Sequence, residues 1–259
     1  MKVVLFCGGM GTRMREFSET IPKPLVHVGH RPIIWHLMRH FAYFGHKDFI
    51  LCLGYKGEMI REFFLNYKPH MSEDFRLEQG VPKLRSNVTD VRDWNIEFVD
   101  TGLRRNIAER LVAVRHLLRG EEVFLANYSD QLCDIDLEQY IGLAKAQQKI
   151  ASFVSVRPAG SYHTVVTESD GMVRYIGPWA DAELWINGGY MVLRREIFEH
   201  IEPGEELVEA PFQRLIAQKQ LFSYRHQGFW KAMDTYKDKL SFDEDYESGC
   251  RPWELWSRG

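Results

Sequence analysis

Near the start of the chain the apolar run Val3–Phe6 gives way to Gly8-Gly9-Met10-Gly11-Thr12-Arg13, and Lys23-Pro24 follows ten residues after Arg13. Glycines let main-chain N–H groups approach an anion with no Cβ in between. Arg13 offers a guanidinium fork and Lys23 a point charge, both suited to phosphoryl oxygens. A glycine cluster alone is as readily an ordinary tight turn. Its place at the exit of an opening strand, with two cations in the segment that leaves it, points to a phosphate bound beside strand one. The spacing is neither Gly-x-Gly-x-x-Gly nor a Walker loop, since no Gly-Lys-Ser/Thr follows. Asp130, just after the strand Val123–Asn127, and Asp234, just after the apolar Phe229–Trp230, are by themselves more commonly turn formers or helix N-caps.

Other reactive residues read as structural. His36 and His40 stand at i, i+4 on a helix, as a zinc pair would, but no third ligand is evident, and the expectation is partly exposed surface histidines. Cys7, Cys52, Cys133 and Cys250 form no Cys-x-x-Cys pair and are expected to be small buried hydrophobes. Phe63, Phe64, Tyr67 and Trp94 are expected to pack a core or a subunit interface.

These residues need elements to position them. Short β-branched runs alternate with longer amphipathic ones. Strands are predicted at Val3–Phe6, Asp48–Leu53, Ile96–Val99, Val123–Asn127 and Ile150–Val156, with helices over Pro32–Phe44, Lys56–Asn66, Ile107–Leu118 and Glu138–Gln147. Tyr67–Asp93 reads as an irregular polar insertion. This βαβαβ order predicts an α/β fold, Rossmann-like, with a mostly parallel sheet flanked by helices. Beyond Arg157 the pattern becomes a smaller, mixed, β-rich portion. Strands are predicted at His163–Glu168, Met172–Ile176, Trp185–Leu193, Phe222–Arg225 and Phe229–Met233. Helices are predicted at Arg195–Ile201, Glu209–Gln218 and from Thr235. The division is a nucleotide-type portion over residues 1–156 and a mixed portion over 157–259, with no Pro/Gly/Ser linker to prevent one continuous domain.

Composition sets the outer bounds. The chain has 259 residues, 45% apolar and 27% charged, which is globular and long enough to bury a sizeable core. Its net charge of −3 calls for neither nucleic acid nor an anionic membrane, so a substrate anion must be met by a local cluster. No apolar run is long enough for a signal peptide or a membrane span, and the expected location is cytoplasmic.

The glycine segment followed by Pro22-Lys23-Pro24 resembles the signature of sugar-phosphate nucleotidyltransferases. The resemblance extends to the glucose-1-phosphate cytidylyltransferase branch through Gly54-Tyr55-Lys56-Gly57, His70-Met71-Ser72, Phe98-Val99-Asp100-Thr101-Gly102 and Arg110-Leu111. It continues through Asn187-Gly188-Gly189, Gly228-Phe229-Trp230, Met233-Asp234-Thr235 and Pro252-Trp253. Together these stretches run nearly end to end. The resemblance implies that Gly8, Gly9, Gly11 and Thr12 line the nucleotide, that Arg13 and Lys23 act on phosphates, and that Arg110 and Asp130 contact the nucleotide. It also implies that Asp130 and Asp234 hold Mg²⁺ and that Asn187 and Gly188 lie by the acceptor.

The implied reaction is attack of an acceptor phosphate on the α-phosphorus of a triphosphate, most simply CTP, giving a CDP-linked product and pyrophosphate. A phosphate monoester is already ionised, which fits the lack of a nucleophile–base triad; neutralising charge is the main problem. The alternatives are UTP or another triphosphate, a non-catalytic nucleotide-binding homologue, and a glycosyltransferase. For the last, Asp134-Ile135-Asp136 has the metal-binding form but reads as a helix cap. A homo-oligomer is a further expectation from the resemblance.

Three places depart from the family pattern. Val173–Trp179 lacks the lysine expected to hold the acceptor phosphate, Ile107-Ala108-Glu109-Arg110 replaces a glycine loop, and Ser129-Asp130-Gln131 replaces Gly-Asp-Gly. Arg174, Lys231 or Arg157 could supply the missing cation. The acceptor is therefore expected to be something other than plain glucose 1-phosphate, whether another sugar phosphate or a smaller phosphate or phosphonate. Trp179 and Trp185 would suit an apolar or stacking acceptor.

Overall fold

A computed structural model describes residues 1–9, 20–71, 74–84, 91–157, 163–178 and 184–257. The expectations for Gly11, Thr12, Arg13 and Trp179 lie outside the described residues. In chain order the strands are β1 (Lys2–Phe6), β2 (His27–Val28), β3 (Arg31–Pro32), β4 (Asp48–Leu53), β5 (Phe75–Glu78), β6 (Val81–Leu84), β7 (Asn95–Asp100) and β8 (Val123–Asn127). They continue with β9 (Gln131–Cys133), β10 (Ala151–Val156), β11 (His163–Thr167), β12 (Val173–Pro178), β13 (Ile186–Arg194), β14 (Leu221–His226) and β15 (Trp230–Ala232). The α-helices are α1 (Ile33–Tyr43), α2 (Gly57–Leu65), α3 (Ile107–Ala113), α4 (Leu137–Gln147), α5 (Ala210–Ala217) and α6 (Tyr236–Glu247).

Seven strands form the central sheet in the order β14-β10-β13-β8-β1-β4-β7. All run parallel except β13, which is antiparallel to both neighbours. This is the mostly parallel α/β sheet that the alternating runs predict. Strands covered on both faces must be apolar on both. Accordingly Val3 and Leu5 of β1 enter the core under α1, with Ile33, Leu37 and Phe41, whereas Val4 and Phe6 enter the opposite core with Leu111, Phe212 and Leu215. From β1 the chain moves outward through β4 and β7, then returns to β8 on the other side of β1. The carboxyl ends of β1 and β8 therefore flank the point where the strand order reverses, which is where open α/β sheets leave a crevice.

β10, β13 and β14 lie in one sheet with β1, so strands from both expected portions share a core. Among the described residues no helix is long and apolar enough to cross a membrane.

Several expectations are corrected. The insertion read as irregular contains the exposed hairpin β5–β6 between two 3-10 turns, Pro69–Met71 and Val91–Asp93. The helix over Ile107–Leu118 ends at Ala113 and closes as a 3-10 turn, Arg115–Leu118, and the helix expected at Arg195–Ile201 is the 3-10 segment Arg195–Glu199. His36 and His40, read as surface residues, are both buried. His36 Nε2 donates to the Val28 carbonyl at 2.9 Å while Trp253 Nε1 donates to His36 Nδ1 at 3.4 Å, and His40 Nε2 donates to Ile135 O at 2.9 Å. Burial lowers both imidazoles to about 4. Of the cysteines, Cys250 is exposed; Cys7, Cys52 and Cys133 are buried as expected.

Candidate active site

The Gly8-Gly9 backbone leaving β1 is held by a buried arginine. Arg110 Nη2 donates to Gly8 O at 3.0 Å, and its Nη1 donates to Thr101 Oγ1 at 2.7 Å and Leu53 O at 3.1 Å. The guanidinium lies so close that a Cβ on Gly8 would fall 2.0 Å from Arg110 Nη1, which explains a glycine there. Gly54 is excluded from bearing a side chain in the same way, with Arg110 Nη1 and Gly8 O each at 2.9 Å from its ideal Cβ. Arg110 thus meets the cleft while giving hydrogen bonds to main chain. No Cβ contact arises at Gly9, which lines the open side.

Glu109 and Asn106 form a capping box at the start of α3, with Glu109 Oε2 accepting from Asn106 N at 3.0 Å. The acid that interrupts the expected glycine loop is thereby a helix cap, and its charge is absorbed by local backbone.

Across the crevice, β8 ends in a tight turn. Ser129 has φ +68, a left-handed conformation usually left to glycine. Its Oγ donates to Phe6 O at 2.8 Å and its N–H to Asn127 Oδ1 at 2.8 Å. These bonds tie the β8 exit to the end of β1 and offset the strain. Gln131, the other departure, has its amide donating to Gly188 O at 3.0 Å. Trp230 Nε1 donates to the same carbonyl at 2.9 Å, and Asn187 reaches Tyr128 Oη at 3.1 Å. Serine in this turn therefore braces the end of β1, and glutamine the start of β13. Burial holds the Tyr128 phenol well above its ordinary range, so the hydroxyl stays protonated.

The two aspartates meet by way of a small antiparallel ribbon. Ala232 of β15 pairs Gln131 of β9, and Met233 N donates to Asp130 O at 2.9 Å. Asp130 immediately precedes one strand of the ribbon and Asp234 closely follows the other. Thr235 then caps α6 in a box with Asp238, fixing the chain just past Asp234. Lys23 comes from a separate 3-10 turn, Lys23–Leu25, opened by the two flanking prolines. Its Nζ donates to Asp130 Oδ2 at 2.6 Å and Asp234 Oδ1 at 2.7 Å. Burial pushes the Asp130 carboxyl up, only partly offset by Lys23. Burial alone would lower Lys23, but Asp130 and Asp234 outweigh it and hold the ammonium above the usual lysine value.

These groups surround a cleft of ≈ 440 Å³ lined by Gly9, Arg110, Tyr128, Asp130, Asn187 and Asp234, among others. Gly9, Arg110, Asp130, Asn187 and Asp234 thus line one cleft, and Lys23 meets it through its bonds to the two aspartates. Gly188 stands behind them, its ideal Cβ within 3.0 Å of Val156 Cγ1. Asp136 caps α4, as read, with Oδ1 accepting from Gln139 N at 3.0 Å. Tyr128, Gln131 and Trp230 line the cleft too and were not singled out as site residues; only their positions beside Asp130 and Gly228-Phe229 hinted at it.

Two carboxylates gathered on one cation form a hard-oxygen donor set, and one of them is desolvated. That chemistry fits Mg²⁺. The arrangement can neutralise and orient a triphosphate at the glycine turn.

Residues 2–247 match the family described as Nucleotidyl transferase. The glucose-1-phosphate cytidylyltransferase of Salmonella typhi is 36% identical over 99% of this chain and 100% of its own length. A probable glucose-1-phosphate cytidylyltransferase of Bacillus subtilis (strain 168) is 35% identical over the same shares, 99% and 100%. Among solved structures, a UDP-glucose pyrophosphorylase complexed with UDP-glucose superposes with a TM-score of 0.71, at 16% identity, over 96% of this chain and 98% of that one. At that identity the likeness is one of fold.

Proposed function

The chain belongs to the nucleotidyl transferase family, and from that premise we propose that it transfers the cytidylyl group of CTP to a sugar 1-phosphate, releasing pyrophosphate. The observation that carries this reading is the Lys23 ammonium gripped by Asp130 and Asp234 at the mouth of the glycine turn. The choice of CTP and of a sugar phosphate follows the full-length relatives, which are glucose-1-phosphate cytidylyltransferases.

In this reaction an acceptor phosphate oxygen bonds to the α-phosphorus, and the bond from that phosphorus to the bridging oxygen of the β-phosphate breaks. A phosphate monoester is largely dianionic at neutral pH, so no protein base is required. The protein must instead bring two polyanions together. Lys23, protonated throughout the neutral range, supplies a point charge for phosphoryl oxygens, and at Gly9 no Cβ stands between the main chain and the cleft. Tyr128 and Asn187, bonded to each other, wall the acceptor side of the cleft. Asp130 and Asp234 would hold Mg²⁺, which when bound supplies positive charge to the triphosphate.

The test is pyrophosphate release from CTP and from each other triphosphate, offered with glucose 1-phosphate and a panel of phosphorylated acceptors. An acceptor-dependent signal with CTP is expected, and Asp234→Asn lowers it by a hundredfold or more. A variant as active as the wild type, or release that ignores the acceptor, overturns the proposal.

A further inference from the structure

Asp130 and Asp234 stand at one end of the β9–β15 ribbon. At the other end, where Cys133 pairs Trp230, a different donor set gathers. Cys133 closes β9, Asp134 follows it, and His226 closes β14 just before the turn into β15. The Cys133 sulfur, an Asp134 carboxylate oxygen and a His226 ring nitrogen all lie within 4.8 Å of one another. His226 Nε2 is 2.9 Å from Asp134 Oδ1 and 3.3 Å from Phe229 O. The main chain of the turn presses against this pair, since an ideal Cβ on Gly228 would fall 2.4 Å from Asp134 Oδ1. Cys133 is buried, whereas the side chains of Asp134 and His226 are 24% and 11% exposed. The set therefore has a sulfur floor and a wet rim through which an ion can enter.

Two buried polar atoms beside the set are left over. His40 Nε2 donates to Ile135 O, next to Asp134, which leaves a lone pair on Nδ1. His40 Nδ1 and Tyr190 Oη are buried with no hydrogen-bond partner among the described residues, and the two rings stand 6.0 Å apart. Such orphans are uncommon in folded proteins and call for an explanation, a bound ion being one. Both residues sense the set. After burial and the bond to Ile135, Asp134 raises the His40 imidazole and His226 lowers it; after burial, Cys133 and Asp134 raise the Tyr190 phenol. Burial also pushes the Cys133 thiol up, while the main-chain N–H groups of Ile135 and Asp134 favour the thiolate. A cation at the sulfur supplies the charge that burial withholds, because a coordinated thiol is deprotonated outright.

We infer that Cys133, Asp134 and His226 form a binding site for a borderline transition cation of the Zn²⁺ type, separate from the acids at Lys23. One sulfur, one nitrogen and one oxygen donor suit Zn²⁺, whereas Mg²⁺ takes oxygen ligands. Tetrahedral Zn²⁺ holds such donors about 3.3–3.6 Å apart, so side-chain adjustment closes the set on an ion. Coordination releases the thiol proton to solvent, moves the imidazole proton from Nε2 to Nδ1 and leaves a fourth position for water. Bound there, the ion ties the end of β14 to β9, and with it the ribbon that carries Asp130 and Asp234. The inference stands without the cytidylyltransferase reading.

The full chain, stripped with a chelator, is titrated with Co²⁺ followed by absorbance and with Zn²⁺ followed by calorimetry. The expected result is a thiolate-to-cobalt charge-transfer band that Zn²⁺ displaces, and a thermal midpoint that Zn²⁺ raises. Cys133→Ser abolishes the band, and His226→Gln weakens binding about tenfold or more. Cys250→Ser and Asp234→Asn leave the band unchanged, which sets the site apart from the exposed thiol and from the acids at Lys23. Should Cys133→Ser fail to fold, the wild-type band and His226→Gln still decide. A wild type without the band, a band that survives Cys133→Ser, or an affinity unmoved by His226→Gln overturns the inference. Loss of the band in Cys250→Ser or in Asp234→Asn overturns it as well.

Discussion

Replacing Lys23 by methionine keeps the length of the side chain and removes its charge. Two contacts disappear, at 2.6 Å to Asp130 and 2.7 Å to Asp234. Hydrogen bonds to charged groups contribute about 1.5–3 kcal/mol each, so roughly 3–6 kcal/mol of interaction is at stake. The side chains of Lys23 and Asp130 are only 14% and 21% exposed, whereas Asp234 is 41% exposed, so solvent screening pulls the sum toward its lower end. Losing one positioned charge from a phosphoryl-transfer transition state costs about 2.7–4 kcal/mol, or 10²–10³ in kcat. A second consequence follows from Asp130. Its carboxyl is already raised by burial, and without Lys23 it rises further above the unfolded value. A raised carboxyl favours the folded state only while protonated, so the destabilisation of Lys23→Met is small in acid and grows as pH climbs through the raised value. Urea unfolding at pH 5 and pH 8, beside pyrophosphate release from CTP and glucose 1-phosphate, reads both effects. A variant with kcat within threefold of wild type, or one whose stability deficit is larger at pH 5 than at pH 8, refutes the reasoning.

Two further predictions concern the frame around the site. Gly8→Ala drives a Cβ to 2.0 Å from Arg110 Nη1, so this variant should lose about 1–3 kcal/mol by thermal or urea unfolding and bind CTP more weakly; an unchanged melting temperature refutes the close packing. His36 and His40 are held at about 4, below the unfolded 6.5, so their contribution is complete above pH 6.5 and is lost as pH falls toward 4. Together they lower stability by roughly 3–4 kcal/mol between pH 7 and pH 5. Ring-proton NMR should show both titrating below pH 5, and folded-state midpoints near 6.5 would contradict their burial.

The mostly parallel α/β sheet was legible in the sequence because alternating periodicity is a local signal, whereas the meeting of Lys23 with Asp130 and Asp234, far apart in the chain, was implied only by the family resemblance. His36 and His40 were misread for a reason of distance. Their helix is amphipathic, but its polar side is closed over by chain far away, with Trp253 of the C-terminal segment covering His36 and Tyr190 of β13 against His40. Glu109 looked like an intruding charge until its capping partner Asn106 was in place. The meeting of His226 with Cys133 and Asp134 escaped notice because only the turn from β14 into β15 and the pairing of β15 with β9 bring them together.

The β9–β15 ribbon carries a mechanical implication. Both acids are mounted on a single hydrogen-bonded ladder, while the ammonium between them arrives on an unrelated turn. The backbone spacing of the two acids is therefore set by strand pairing and by the Met233–Asp130 hydrogen bond, not by the side chain that lies between them.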